Sequence, residues 1–247
     1  MAMKICPNCG GMCKDIGGGE YKCTCCGSVL SADEFMPSNQ KMSAANYAKG
    51  EDVFSLTGNS VMELTCSFKD GGCSGSGYLI TDDGYGITNA HVFSDGKTYE
   101  ICKNVQVKLA GETVNAIVVA VGDKQAGSGK GVDLALIKLS RVPSKARCVQ
   151  FENFGNVRNG ETVYVIGNSL GYGNCITRGI VSDRARNVNG KILLMTDCAV
   201  NGGNSGGPMF NESGKVIGTI VSGITQAEGM NFALQSDDVV AFIKRVK

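Results

Sequence analysis

Residues 75–92 read GSGYLITDDGYGITNAHV. Apolar side chains on both sides of Asp83-Gly84 predict two short strands joined by a tight turn, because an Asp-Gly pair accepts the positive φ angles of hairpin turns. His91 follows the second strand directly, at a place where a side chain can face a cleft. It is the single histidine of the 247-residue chain. The stretch therefore combines a β-hairpin with one residue suited to acid–base chemistry.

The pattern of this hairpin continues along the chain. From Glu51 onward, short segments rich in Val, Ile and Leu alternate with turns such as Asn159-Gly160 and Asn189-Gly190. About ten to twelve strands without helices between them predict an all-β fold, either a sandwich or a pair of barrels. The exception is SDDVVAFIKRVK at residues 236–247, where a possible N-cap, Ser236, precedes an amphipathic pattern. This segment predicts a C-terminal helix.

Charge and hydropathy exclude several classes of partner. The chain carries 24 basic and 23 acidic side chains, so its balance predicts neither nucleic acid nor an anionic membrane as a partner. Apolar runs such as Ala116–Val121 are too short to span a bilayer. The first residues lack the apolar stretch of a signal peptide, which predicts a cytoplasmic protein. In that compartment the 12 cysteines are expected to be reduced or metal-bound.

Six of the cysteines fall near the N-terminus and include two C-x2-C pairs. Four thiolates at this spacing can surround a structural Zn²⁺ ion, so the pattern predicts a zinc ribbon. The predicted zinc ligands are Cys6, Cys9, Cys23 and Cys26. Cys13 and Cys25 are left over, and either could replace one of the four ligands. A disulfide or a redox pair is the alternative use of these thiols.

The sequence therefore predicts three parts: a zinc ribbon at residues 1–30, a polar linker at 31–52 and an all-β domain at 53–247. Few basic residues surround the cysteines of the ribbon. We therefore expect it to recruit a protein partner or to regulate the all-β domain, in preference to binding nucleic acid.

A second glycine-rich stretch supplies a candidate nucleophile. Residues 200–210 read VNGGNSGGPMF, with Ser205 among four glycines. A serine hydroxyl needs an adjacent base, and His91 can accept its proton. Asp133 opens an otherwise apolar strand, where it can orient the imidazole or merely cap the strand. The backbone of Gly203, Asn204 and Ser205 forms the predicted oxyanion hole, with the N–H groups of Gly203 and Ser205 as its donors.

With these residues in place, the chain resembles the HtrA/Deg serine proteases of the chymotrypsin fold. The resemblance covers roughly Val61 to Val246. The segments that carry it are GSGYLITDDGYGITNAHV, VDLALIKL, VYVIGNSLGYGNCITRGIVS, TDCAVNGGNSGGPMFNESGKVIG and NFAL. It implies two perpendicular six-stranded β-barrels, with His91 and Asp133 on the first, Ser205 on the second and the site between them. It also implies a trimer as a possible assembly.

The same resemblance suggests which residues contact the substrate. Ala199 stands where trypsin-like relatives place a charged pocket floor, and Ile220, Val221, Ser222 and Gly223 form the far wall. Such an uncharged pocket predicts cleavage after small or medium aliphatic residues, with loose selectivity. The leading hypothesis is therefore a serine endopeptidase that acts on protein or peptide substrates. The alternative is a protease-like module that binds peptides, or holds proteins as a chaperone does, without turnover.

Overall fold

The computed structural model describes residues 4–5, 12–31, 50–68, 71–94, 101–102, 105–122, 131–223 and 229–246. A small antiparallel sheet comes first, in the order β1-β2-β3-β4. Its strands are β1 (Lys4–Ile5), β2 (Met12–Gly17), β3 (Glu20–Cys23) and β4 (Val29–Ser31). Among the described residues of this part, the buried apolar cluster consists of Cys23 and Leu30, with Cys13 and Cys25 packed against it. So small a core agrees with a module that needs a further source of stability.

The next six strands close into a barrel in the order β10-β7-β6-β5-β8-β9. They are β5 (Val61–Phe68), β6 (Gly71–Leu79), β7 (Tyr85–Thr88), β8 (Val105–Leu109), β9 (Glu112–Val121) and β10 (Ala135–Leu139). Alternate residues of β8 are buried, as expected for a strand with one face toward a barrel core. Gly84 has φ +97° in the turn before β7, as the Asp-Gly pair predicts.

The remaining seven strands form a second barrel with one strand added at its side. They are β11 (Gln150–Phe151), β12 (Thr162–Asn168), β13 (Asn174–Val188), β14 (Lys191–Thr196), β15 (Pro208–Asn211), β16 (Lys215–Gly223) and β17 (Asn231–Gln235). The ring runs β16-β15-β12-β13-β14-β17 and closes through the pairing of β17 with β16, while β11 lies parallel to β16 outside the ring. The predicted all-β fold of two six-stranded barrels is confirmed.

A shared core joins the two barrels. Tyr78 of β6, Ile166 of β12 and Phe210 of β15 are all buried in one cluster. The hydroxyl of Tyr78 lies 2.7 Å from the Thr219 hydroxyl of β16, so this hydrogen bond crosses the interface. Because apolar side chains from both barrels pack here, residues at the barrel interface are held in fixed relative positions.

Two α-helices flank the barrels. Helix α2 (Ser236–Val246) confirms the predicted C-terminal helix and buries Val239, Phe242 and Ile243. Ser236 donates its hydroxyl to the Glu152 carbonyl at 3.1 Å, so its side chain fastens the helix to the second barrel. In the part of the chain that the structure describes, no helix is both long and apolar enough to cross a bilayer.

Helix α1 (Gly50–Thr57) was not predicted. It begins inside the range 31–52 that was predicted as a linker, whose residues 32–49 lie outside the described residues. The helix has eight residues and buries Val53 and Thr57. A segment of two turns shows too little periodicity for a sequence-based prediction, and packing of Val53 against the shared core stabilises it instead.

Candidate active site

His91 and Asp133 meet at the edge of the first barrel. His91 lies on a single 3-10 turn, Ala90–Phe93, directly after β7. Its Nδ1 is 2.6 Å from Asp133 Oδ2, and its backbone N–H donates to Asp133 Oδ1 at 3.0 Å. Both carboxylate oxygens of Asp133 therefore contact His91, one through its backbone and one through its ring. With Nδ1 engaged, Nε2 is the ring nitrogen available to a reacting group.

Asp133 is held from its other side as well. It lies just before β10, and its carbonyl accepts a hydrogen bond of 2.7 Å from the Asn89 side-chain amide. The Asp133 side chain is 12% exposed and that of His91 is 30% exposed. A carboxylate so little exposed requires a partner, which the imidazole provides. The imidazole keeps enough exposure to receive a proton from a bound reactant.

Ser205 lies on the turn between β14 and β15, against the first barrel. Its carbonyl accepts the N–H of Ser76 at 2.8 Å. The next residue, Gly206, has φ +83°, and a methyl group there would collide with the Ser76 carbonyl and come 2.9 Å from the Asn89 nitrogen. Asn89 is two residues before His91, so this close approach brings the serine turn beside the histidine turn. Glycine at 206 is required for that approach.

The glycines before Ser205 shape a set of backbone donors. Gly203 has φ +94°, and a side chain on it would collide with the Asn168 carbonyl. The Asn204 N–H is used internally, because it donates to the Asn201 carbonyl at 3.1 Å. Among the described residues, no acceptor is found for the N–H groups of Gly203 and Ser205. Two unpaired donors two residues apart are suited to an oxyanion.

Sequence reasoning missed Ser76, which ties the serine turn to the first barrel. Its hydroxyl donates to the Gly203 carbonyl at 2.7 Å and accepts the Asn168 N–H at 2.8 Å. The Ser76 N–H also donates to the Ser205 carbonyl, so Ser76 is hydrogen-bonded to three residues of the second barrel: Asn168, Gly203 and Ser205. Ser76 is fully buried. Its position between Gly75 and Gly77 was the only signal in the sequence, and glycine neighbours alone do not indicate such a role.

Ser76→Ala is therefore expected to lower kcat by about tenfold or more with little change in KM, since the Gly203 carbonyl and the Asn168 N–H lose their partner and the oxyanion donors shift. Steady-state peptide cleavage measures both constants. Ser74→Ala is the matched control, because Ser74 is an exposed residue of the same strand. A variant with unchanged kcat and a lowered melting temperature would show that Ser76 acts on stability alone.

Two thiols of the first barrel, one buried and one half-buried, support the turn that carries His91. The Cys66 thiol donates to the Val92 carbonyl at 3.2 Å, and the Cys73 thiol donates to the Ser94 carbonyl at 3.8 Å. Burial raises the pKa of the Cys66 thiol to about 12, so it remains a protonated donor at neutral pH. These cysteines contribute to the placement of His91 through two consecutive strands of the first barrel.

The predicted pocket residues occupy several environments. Ala199 is exposed beside the serine turn, and its carbonyl accepts the Thr177 hydroxyl at 3.0 Å. Ile220 exchanges backbone hydrogen bonds with Gly206 and Gly207, next to Ser205. The Ile220 side chain, however, is buried in the core of the second barrel. Its main chain therefore borders the site while its side chain packs away from solvent.

The other three predicted wall residues continue along β16. Val221 is half-buried and packs against the shared core. Ser222 and Gly223 pair with Phe232 and Asn231 of β17. From Ile220, which lies next to the serine turn, β16 therefore leads away from the site to its last residue, Gly223.

Two exposed apolar residues next to the serine turn were not predicted. Leu170 is 65% exposed and Tyr172 is 91% exposed. The Leu170 N–H donates to the Gly202 carbonyl at 2.7 Å, which places this loop against the glycines that precede Ser205. Apolar residues exposed beside a site are candidates for substrate contact.

The predicted zinc ligands are described only in part. Cys6 and Cys9 lie outside the described residues. The Cys23 sulfur accepts the backbone N–H groups of Cys25 and Cys26 at 3.4 and 3.5 Å. Gly27, with φ +76°, completes this tight turn. The described residues contain no group of three or more side chains able to hold a metal, but they include only two of the four predicted ligands.

The sequence was compared with known protein families. The family model described as a trypsin-like peptidase domain matches residues 75–218, which is more than half of the chain. The chain belongs to the trypsin-like peptidase family. The match begins at Gly75 on β6 and ends on β16, so it spans both barrels and the segments that carry His91, Asp133 and Ser205.

Individual relatives of this peptidase chain agree with the family match. A probable periplasmic serine endoprotease of Brucella suis, named DegP-like, is 36% identical over 168 residues, which cover 66% of this chain and 30% of that protein. Serine protease HTRA1A of Danio rerio is 35% identical over 181 residues, 69% of this chain and 34% of that protein. The chain thus spans about a third of the length of these relatives.

A solved structure supports the peptidase fold. The crystal structure of a serine endoprotease from Yersinia pestis superposes with a TM-score of 0.67 at 24% sequence identity, covering 83% of this chain and 68% of that one. At this level of identity the likeness bears on the fold, and it agrees with the two barrels.

The predicted cytoplasmic location is wrong. The Brucella suis relative and those of Rhizobium meliloti and Rickettsia prowazekii are all named probable periplasmic serine endoproteases. The prediction rested on the first residues, which lack the apolar stretch of a signal peptide, and the expectation that the cysteines are reduced or metal-bound followed from it. Several thiols of this peptidase are simply buried, among them Cys66, Cys102 and Cys198. A buried thiol packs as a small apolar group, so its presence says little about the compartment.

Proposed function

We propose that this chain is a serine endopeptidase in which Ser205 is the nucleophile, His91 the general base and Asp133 the residue that orients the imidazole. The observation that carries the proposal is the contact of 2.6 Å between His91 Nδ1 and Asp133 Oδ2, beside a glycine-rich serine turn. That contact fixes the ring so that Nε2 can accept a proton. Membership in the trypsin-like peptidase family supports the same reaction.

The reaction follows from these roles. Nε2 of His91 takes the Ser205 proton as Oγ attacks the scissile carbonyl, and Asp133 stabilises the imidazolium that forms. The carbonyl oxygen becomes an oxyanion that accepts the N–H groups of Gly203 and Ser205. His91 then gives its proton to the leaving amine. A water molecule hydrolyses the acyl-enzyme by the same steps, and the serine is regenerated.

We further propose that the enzyme cleaves after small or medium aliphatic residues. Ala199 brings no charge to the predicted pocket, and Leu170 and Tyr172 offer apolar surface next to the serine turn. Pockets of this kind separate aliphatic side chains by only about 1–3 kcal/mol per methylene. Selectivity among Val, Ala, Ile and Leu is therefore loose.

Digestion of an unfolded protein tests both the activity and this preference. We expect fragments whose new ends follow Val, Ala, Ile or Leu, as identified by mass spectrometry of the products. A charged P1 side chain is excluded because an uncharged pocket leaves it without a partner. Ser205→Ala protein serves as the blank for contaminating proteases. Cuts confined to sites after Lys or Arg would contradict the proposed pocket, and no cuts above the blank would contradict the peptidase itself.

The N-terminal module is proposed to bind one structural Zn²⁺ through Cys6, Cys9, Cys23 and Cys26, and to recruit a protein partner or regulate the peptidase. The Cys23 sulfur accepts two backbone N–H groups, an arrangement that suits a sulfur bound to a metal, so this ligand fits zinc. The ion would supply folding free energy to a module whose buried core is small.

Removal of zinc by a chelator is therefore expected to unfold residues 12–31 while peptide cleavage continues. Hydrogen exchange followed by mass spectrometry reports the loss of protection in this segment, and a peptidase assay on the same sample reports activity. Added Zn²⁺ should restore protection. If cleavage stopped as soon as zinc was removed, the module would belong to the catalytic machinery; if protection never changed, the metal would have no structural role.

A further inference from the structure

A cleft separates the N-terminal module from the peptidase domain. Its volume is about 890 Å³. Cys25 and Cys26 line it from the module, while α1 and the segment that joins the two barrels line it from the peptidase side. The lining residues used below are Cys25, Cys26, Leu79 and Cys148. Neither His91, Asp133 nor Ser205 lines this cleft.

Two cysteines far apart in the sequence meet in the cleft. Cys25 and Cys148 both line the cleft, and the side chain of Cys25 is hydrogen-bonded to the side chain and to the backbone of Cys148. Both residues are half-buried. Cys148 is well anchored, because Arg147 donates its backbone N–H to the Asn59 carbonyl at 3.2 Å and Val149 donates to the Leu79 carbonyl at 2.9 Å. The sulfur atoms are therefore neighbours across the boundary between the module and the peptidase domain.

We propose that Cys25 and Cys148 form a disulfide that fastens the N-terminal module covalently to the peptidase domain. The oxidant is a small-molecule disulfide that enters through the cleft. One protein thiolate attacks it, forms a mixed disulfide and releases one small thiol; the second protein thiolate then attacks the mixed disulfide and releases the other. One protein S–S bond forms and one reagent S–S bond breaks. The protein loses two electrons, and the two protons from its thiols end on the small thiols.

The other described thiols are placed differently. Cys26 also lines the cleft, but its sulfur lies 3.1 Å from the Ser28 hydroxyl and it is a proposed zinc ligand. Cys175 is exposed, but its thiol donates to the Gly167 carbonyl of the second barrel. Cys66, Cys102 and Cys198 are buried and out of reach of a reagent. Cys66 and Cys73 face each other across β5 and β6, so a bond between them would remain within one barrel. The sulfur of Cys23 is engaged with backbone N–H groups inside the module. The pair at the cleft thus combines contact between sulfurs with access for the reagent.

The disulfide would make the attachment of the module depend on the redox state. In the reduced protein the module is held at the cleft by non-covalent contacts. In the oxidised protein a covalent bond holds it there, and the loss of chain freedom stabilises the docked arrangement. Because the triad lies outside the cleft, the bond should leave peptide cleavage unchanged.

The test uses the full, zinc-loaded chain in buffers of oxidised and reduced glutathione, followed by alkylation of free thiols and tryptic digestion. Cleavage after Arg147 and Arg158 places Cys148 alone on its peptide, whereas Cys25 shares residues 23–41 with Cys23 and Cys26. We expect the two peptides to be joined in most molecules under oxidising conditions, with fragment ions that assign the bond to Cys25. On a non-reducing gel the linked chain should migrate faster, because the bond closes a large loop.

Variants refine the assignment. Cys25→Ser and Cys148→Ser should each abolish the linked peptide and the mobility shift, whereas Cys175→Ser, which removes an exposed cysteine elsewhere, should leave both unchanged. The wild-type map decides the matter even if a variant folds poorly. Recovery of alkylated Cys148 from the folded, oxidised protein, or its attachment to any cysteine other than Cys25, would overturn the proposal.

Discussion

Ser205→Ala should lower kcat for peptide cleavage by about five to six orders of magnitude, the size of effect expected when a serine nucleophile is removed. KM should change little, because the backbone donors and the surfaces that bind substrate remain in place. A loss of this size is expected because the hydroxyl lies on a turn that the hydrogen bond from Ser76 and the close approach at Gly206 place beside the histidine turn. Single-turnover and steady-state assays with one peptide measure the two constants.

A matched control accompanies this variant. Ser213 is an exposed serine on a turn of the same barrel, and Ser213→Ala should retain the wild-type rate. If Ser205→Ala also retained a rate close to wild type while it was folded, Ser205 would not be the nucleophile, and the proposed reaction would be wrong.

Asp133→Asn should lower kcat by about four orders of magnitude while the fold is preserved. Asp133 Oδ2 accepts from Nδ1 of His91, and Oδ1 accepts the His91 backbone N–H. An amide can keep the second contact, but its NH₂ group cannot accept from Nδ1. The imidazole would then carry its proton on Nε2, where it cannot take the serine proton.

The measurement is kcat together with thermal unfolding. Asp83→Asn is the control, since Asp83 lies on an exposed turn and pairs with Lys138 at the surface. The alternative role of Asp133, as a residue that only caps its strand, predicts a lower melting temperature with a nearly unchanged kcat. That outcome would contradict the orienting role.

Most of the fold could be predicted because its signals are local. The Asp83-Gly84 turn, the alternating burial of β8 and the apolar face of α2 follow from the pattern of a few neighbouring residues. Strand β15 has little local signal of its own, because it has four residues and begins with Pro208, a residue typical of turns. It forms because its pairing with β12 and β16 completes a barrel, and such pairing over long range leaves no local pattern.

The site likewise contains residues that the sequence indicated and one, Ser76, that it did not. Chemical type and glycine spacing pointed to His91, Asp133 and Ser205, and their catalytic roles stay predictions to be tested as above. Ser76 could not be found, because its function depends on atoms of the second barrel more than 90 residues away in the sequence. The oligomeric state and the partner of the N-terminal module also stay predictions, since both depend on surfaces that a pattern of residue types does not define.

Labelling with a fluorophosphonate probe tests the central proposal most directly, because the probe bonds covalently to a serine oxygen only where a neighbouring base activates it. We expect one label per folded, zinc-loaded molecule. Tryptic residues 192–215 contain both Ser205 and Ser213, so fragment ions between the two serines assign the site. The label should lie on Ser205 and should be lost in His91→Ala protein. Folded protein that stays unlabelled, or a label on another serine, would contradict the proposal that His91 activates Ser205.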